Sequence, residues 1–125
     1  MSVKEGDAFL VPSGPEGNHL FVVATRENKD GFRLLVPVST VREGRHHDPA
    51  CVLKAGDHPF IRHDSYAVYS KADQKRSDHI QNCVDKGIFI SQPPVSDDVL
   101  DRVCDGFEKS DFTRNWVFDF LRSLE

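Results

Sequence analysis

Residues 20–38 read Leu20-Phe21-Val22-Val23-Ala24-Thr25, Arg26, Glu27-Asn28-Lys29-Asp30-Gly31, then Phe32-Arg33-Leu34-Leu35-Val36-Pro37-Val38. Two apolar, β-branched runs flank a polar cluster that closes on Asp30-Gly31. Such side chains fit a pleated surface, and glycine takes positive φ without steric penalty, so the stretch predicts a β-hairpin. Outward from it, Ala8-Phe9-Leu10-Val11 and Ala50-Cys51-Val52-Leu53 are further short strands. Turn-forming clusters at Pro12–Asn18 and Lys54–Asp57 bound them. Tyr66-Ala67-Val68-Tyr69 predicts another strand, and Gly87-Ile88-Phe89-Ile90 a last one before Pro93-Pro94.

After the prolines the periodicity becomes helical. Ser96 is placed to cap, Asp97 and Asp98 suit the positive end of a helix dipole, and Val99, Leu100, Val103, Cys104 and Phe107 share one face. A second run puts Phe112, Trp116, Val117, Phe120, Leu121 and Leu124 on one face, with Ser110 or Asp111 as the expected cap. Five or six strands followed by two helices predict a mainly β fold, a small barrel or curled sheet with the helices packed on one side. At 125 residues the chain is one domain, with the strands in 1–92 and a helical segment in 96–125.

Charge narrows the function classes. Lys and Arg number 16 against 20 Asp and Glu, and the net −4 falls wholly on residues 96–125. That excludes a protein coated in positive charge for gripping long nucleic acid, and no DNA partner is expected. The balanced body still has room for a local basic site. No apolar run reaches the ~20 residues of a membrane span, and Met1-Ser2-Val3-Lys4-Glu5-Gly6-Asp7 has no hydrophobic leader core. Three cysteines without CxxC spacing (Cys51, Cys83, Cys104) suit a reducing cytoplasm.

Five of the six histidines lie between His46 and His79, and the densest polar stretch runs from Gly56 to Tyr66. Acid–base catalysis draws on imidazoles, of which His58 and His63 supply two, and Arg62 between them can stabilise charge on phosphorus. This set is suited to cleaving RNA with the ribose 2′-hydroxyl as nucleophile and no metal. Ser65 and Tyr66 are candidate substrate contacts in the same stretch, and Arg45 in the basic loop Arg42–Pro49 is a candidate phosphate contact. Asp57 and Asp64 equally suit plain turns, with Tyr66 packed on the sheet. Structural zinc would draw on His58-x4-His63, His79-x3-Cys83 and distant Cys51, without a CxxC or HExxH to support it.

The order of these features resembles the PemK/MazF toxin superfamily. Gly6-Asp7, a Gly-rich loop and His19–Thr25 are similar to its first two strands. Leu35-Val36-Pro37-Val38-Ser39-Thr40 is similar to its third, Asp64-Ser65-Tyr66-Ala67-Val68-Tyr69-Ser70-Lys71-Ala72-Asp73 to a later one leading into a short helical segment, and Ser96–Phe107 to its C-terminal helix. The resemblance covers residues 5–107. It implies an SH3-like barrel, a homodimer, an antitoxin protein as partner, and cofactor-free cleavage of single-stranded RNA in the cytoplasm. It also implies phosphate binding at Ser39 and Thr40, and it places His19, or Asn18 with the register one residue over, where active members carry an arginine. On this reading His19 or His58 is base and acid, Arg62 steadies the phosphorane and His63 faces the same groove. The alternatives are a non-catalytic SH3-like module that binds a protein or RNA partner, and a small histidine-rich metal protein.

Overall fold

The computed structural model describes residues 3–125; Met1 and Ser2, the start of the leader reading, lie outside the described residues. Seven strands form one antiparallel sheet: β1 Ala8–Pro12, β2 Asn18–Val23, β3 Phe32–Thr40, β4 Val52–Leu53, β5 Ser65–Ala67, β6 Asp73–Arg76 and β7 Ile90–Gln92. Among the described residues three α-helices accompany them, α1 Ser77–Asp85, α2 Asp97–Lys109 and α3 Asn115–Ser123, with short 3₁₀ turns at Gly14–Glu16 and Tyr69–Lys71. The strands pair in the order β4-β5-β3-β2-β1-β7, with β6 also on β3. This matches a mainly β fold with C-terminal helices.

The hairpin forms where the sequence places it. The Asn28 side chain accepts the backbone N–H groups of Asp30 and Phe32, both at 3.0 Å, and Gly31 supplies φ +86°. From there β3 runs through the centre and changes partner, from β6 at residues 32–35 to β5 at 38–40. Pro37 sits in the gap. Its carbonyl accepts Val68 N–H at 2.8 Å, so its missing N–H faces that same edge, away from β2, and the β5 ladder ends there.

The sheet is covered on both faces, and the two-residue period sorts its side chains. Ala8, Leu20, Val22, Leu34, Val36, Val38 and Ala67 pack under Val99, Val103 and Phe107 of α2 and Val117 and Phe120 of α3. Phe9, Val11, Phe21, Val23 and Leu35 take the opposite face, under Ile80 and Cys83 of α1. Ser96 caps α2, accepting Val99 N–H at 3.2 Å. Tyr69 is wholly buried, donates to Val103 O at 2.6 Å and meets Phe107 edge-on at 5.1 Å. A β-carbon on Gly106 would fall 1.8 Å from the Tyr69 hydroxyl, so only glycine lets α2 approach so closely.

Several elements differ from the sequence reading, among them α1 Ser77–Asp85, a helix the reading did not place, and Tyr69, which lies in a 3₁₀ turn and not in a strand. The last strand begins three residues later, at Ile90. The polar stretch Asp73–Arg76 is a strand, held by its backbone against Phe32–Leu35. The final helix starts at Asn115 after Arg114, not at Ser110 or Asp111. Ser110 instead ends α2, and its hydroxyl donates to the buried Asp48 carboxylate. Phe112 is accordingly off the helix and 45% exposed, not on its apolar face.

Candidate functional site

The site builds from the C-terminal end of β3. Leu20 and Val38 face the core as a cross-strand pair, so their neighbours His19 and Ser39 take the other face, and Ser39 pairs directly with Tyr66 on β5. Three depressions meet along this line. The first, about 480 Å³, is lined by Ser39, Thr40 and Ser65, by the 59–63 loop including Arg62 and His63, and by Gln92. A second, about 610 Å³, holds His19, Ser39, Tyr66 and Lys71 against the Ser13–Pro15 turn. The third, about 240 Å³, is lined by His46, His47, Asp48, Tyr66 and Phe112. Ser39 is common to the first and second, and Tyr66 to the second and third.

The charge of this line differs from that of the whole chain. Arg62, His63, His19 and Lys71 line the first two depressions, and among the described residues no carboxylate does. Asp64, the acid between His63 and Ser65 in sequence, is paired with Lys54 at 3.0 Å. Arg62 and His63 are exposed, on a loop held from beneath: Ser65 Oγ donates to His63 O at 2.9 Å, and Val41 N–H to Asp64 O at 2.8 Å. Asp57 anchors the loop's start. Its carboxyl is held below the usual carboxylate range by the Lys54 backbone N–H and then by Arg102 of α2, which it meets at 2.9 Å.

His58 is not in the groove. Only 2% exposed, its ring accepts Phe60 N–H at Nδ1 (3.0 Å) and sits 2.6 Å from Pro93 O at Nε2. An amide N–H can only donate and a carbonyl only accept, so the ring is the neutral Nε2–H tautomer with both nitrogens engaged. It fastens the 58–61 loop to the segment before α2. Arg45 is exposed in its turn and lines none of the three depressions. Thus His19, Ser39, Thr40, Arg62, His63, Ser65 and Tyr66 come together, whereas His58 and Arg45 stand apart. His79 and Cys83 do share a face of α1, 3.6 Å apart, but Cys83 packs in the cluster under α1 whereas Cys51 packs in the one under α2 and α3.

Lys71, Phe60, Gln92 and Phe112 are lining residues that sequence reasoning did not single out as site residues. Lys71 follows Tyr69 in a single 3₁₀ turn, and only the closeness of that turn to β3 brings it to the groove. The cysteines are all unpaired; burial pushes the Cys51 thiol up and the Cys104 thiol to about 11, which leaves both in the unreactive protonated form near neutrality. No helix among the described residues is long and apolar enough to cross a membrane. Comparison with protein-family models and with curated proteins gives no match for this chain.

Proposed function

We propose that the chain is a PemK/MazF-like protein that binds single-stranded RNA along the first two depressions and cleaves it without metal. The observation that carries this reading is the cationic lining around Ser39, without a carboxylate among the described residues, in a chain of net charge −4. A phosphate at Ser39 and Thr40 lies between two imidazoles, His19 on one side and His63 on the other. One takes the proton of the 2′-hydroxyl as its oxygen attacks the adjacent phosphorus. The other gives a proton to the departing 5′-oxygen. The products are a 2′,3′-cyclic phosphate and a 5′-hydroxyl, and Arg62 balances the charge gathered on phosphorus in between. His58 takes no proton in this scheme; it is a positioning residue for the loop that carries Arg62 and His63.

The resemblance extends the reading to closure of the sheet as an SH3-like barrel, a homodimer in the cytoplasm, and an antitoxin protein that covers the groove. Incubation of purified protein with a mixed-sequence RNA in excess chelator tests the activity. Cuts that leave 2′,3′-cyclic phosphate ends support it. Tight binding of the same RNA without any cut would favour the non-catalytic module, a reading to which His19 in place of an arginine also lends weight.

A further inference from the structure

The third depression has a different chemistry from its neighbours. Asp48, only 6% exposed, lines it, and its carboxylate accepts Ala50 N–H at 3.0 Å and the Ser110 hydroxyl, which fix it in place. A buried carboxylate repels phosphate, so the RNA backbone cannot run through here. Rings supply the walls: His46 meets Phe112 edge-on at 5.4 Å and His47 lies tilted against Tyr66 at 5.6 Å. At about 240 Å³ it is smaller than the ~300–1,000 Å³ of sites for drug-sized ligands, which suits one ring system. Through Tyr66, Val68 and Ser70 it continues directly into the second depression.

Resting on the proposal that RNA lies in that groove, we infer that this depression takes a single unstacked base, and one that presents an exocyclic amino group. The aromatic walls bind a base face irrespective of sequence. The carboxylate then selects: it accepts from the amino groups of cytosine, adenine or guanine and opposes the carbonyl edge of uracil. The C-terminal segment is thereby part of RNA reading, since Phe112 and Ser110 both come from the α2–α3 connection.

The probe is a set of short single-stranded oligoribonucleotides, identical except that guanosine is replaced by inosine, which lacks only the 2-amino group, or by uridine. Binding is measured with the full chain, an Arg62→Ala variant and a Phe112→Ala variant, the last altering an exposed side chain. Wild type is expected to bind the guanosine oligomer roughly tenfold better than either replacement, with the preference lost in Phe112→Ala. Equal binding of all three oligomers by wild type, with Arg62→Ala still weakening it, would overturn the inference and leave the groove reading standing. No binding of any oligomer would remove both.

Discussion

Ser39 on β3 faces Tyr66 on β5 as a direct cross-strand pair, and through these two side chains three separate depressions become one line across the sheet. The pair is available because β3 changes partner at Pro37: beyond it, the strand end is free to take β5 and to present its outer face beside the Arg62 loop. Backbone register thus sets the spacing of the chemistry.

If phosphates sit along this line, Arg62→Ala should weaken binding of a single-stranded oligoribonucleotide uniformly over sequence. It should also reduce the salt dependence of binding by roughly one counterion's worth. Titrations at several salt concentrations measure both. An unchanged salt slope would show that Arg62 does not meet phosphate.

His58 gives a contrasting case. His58→Ala removes the acceptor of Phe60 N–H, the donor to Pro93 O and a buried ring, and should cost about 2–4 kcal/mol in denaturant unfolding. RNA affinity should fall less than in Arg62→Ala once the protein is kept folded at low temperature. Unchanged stability would contradict the tautomer and the contacts assigned to the ring.

Gly106→Ala drives a β-carbon into the Tyr69 hydroxyl and ring. Relief requires α2 to move off the sheet, so we expect a loss of at least about 2 kcal/mol, whereas alanine normally stabilises a helix interior relative to glycine. Tyr69→Phe, which deletes the bond to Val103 O and the hydroxyl's contact with the Cys51 thiol, should cost about 1 kcal/mol. A Gly106→Ala protein as stable as wild type would show that α2 is not seated as described.

Stability should decline on the alkaline side. Burial raises the Cys104 thiol to about 11 from an ordinary value of 9.0, and it also raises Cys51 and the Tyr69 phenol. Each group holds its proton more tightly folded than unfolded. The stability it contributes is therefore complete below the unfolded pKa and lost as pH rises through the folded one. Melting temperature should fall from about pH 9 upward, and less steeply in Cys104→Ala. A flat profile through pH 11 would contradict the burial of these groups.

Much of this architecture was legible in the residues. Asp30-Gly31 marks a hairpin because it needs positive φ, and Ser96 with two following aspartates marks the start of α2 because the exposed amides there demand an acceptor. Strand β6 was not legible. Asp73-Gln74-Lys75-Arg76 has no apolar alternation, and it pairs only because β3 presents it a free edge. Phe112 fits a helical period, yet Ser110 is drawn to Asp48, 62 residues away, and the chain turns out before the helix begins. Of the candidate site, the Arg62-His63 loop could be read from composition. His58 could not be told from His63, since residue type does not reveal which imidazole is buried. The third depression joins residues 46–48 to residue 112, a meeting that only packing reveals.

In the proposed function, cleavage rests on His19 and His63, which line the two depressions that share Ser39. The decisive measurement is the rate of cleavage of one defined single-stranded RNA in excess chelator by wild type, His19→Ala, His63→Ala and the double variant, all confirmed folded. Wild type should yield 2′,3′-cyclic phosphate ends, with each single variant about 100-fold slower or more. Cleavage at the wild-type rate by the double variant, or none by wild type, would contradict it.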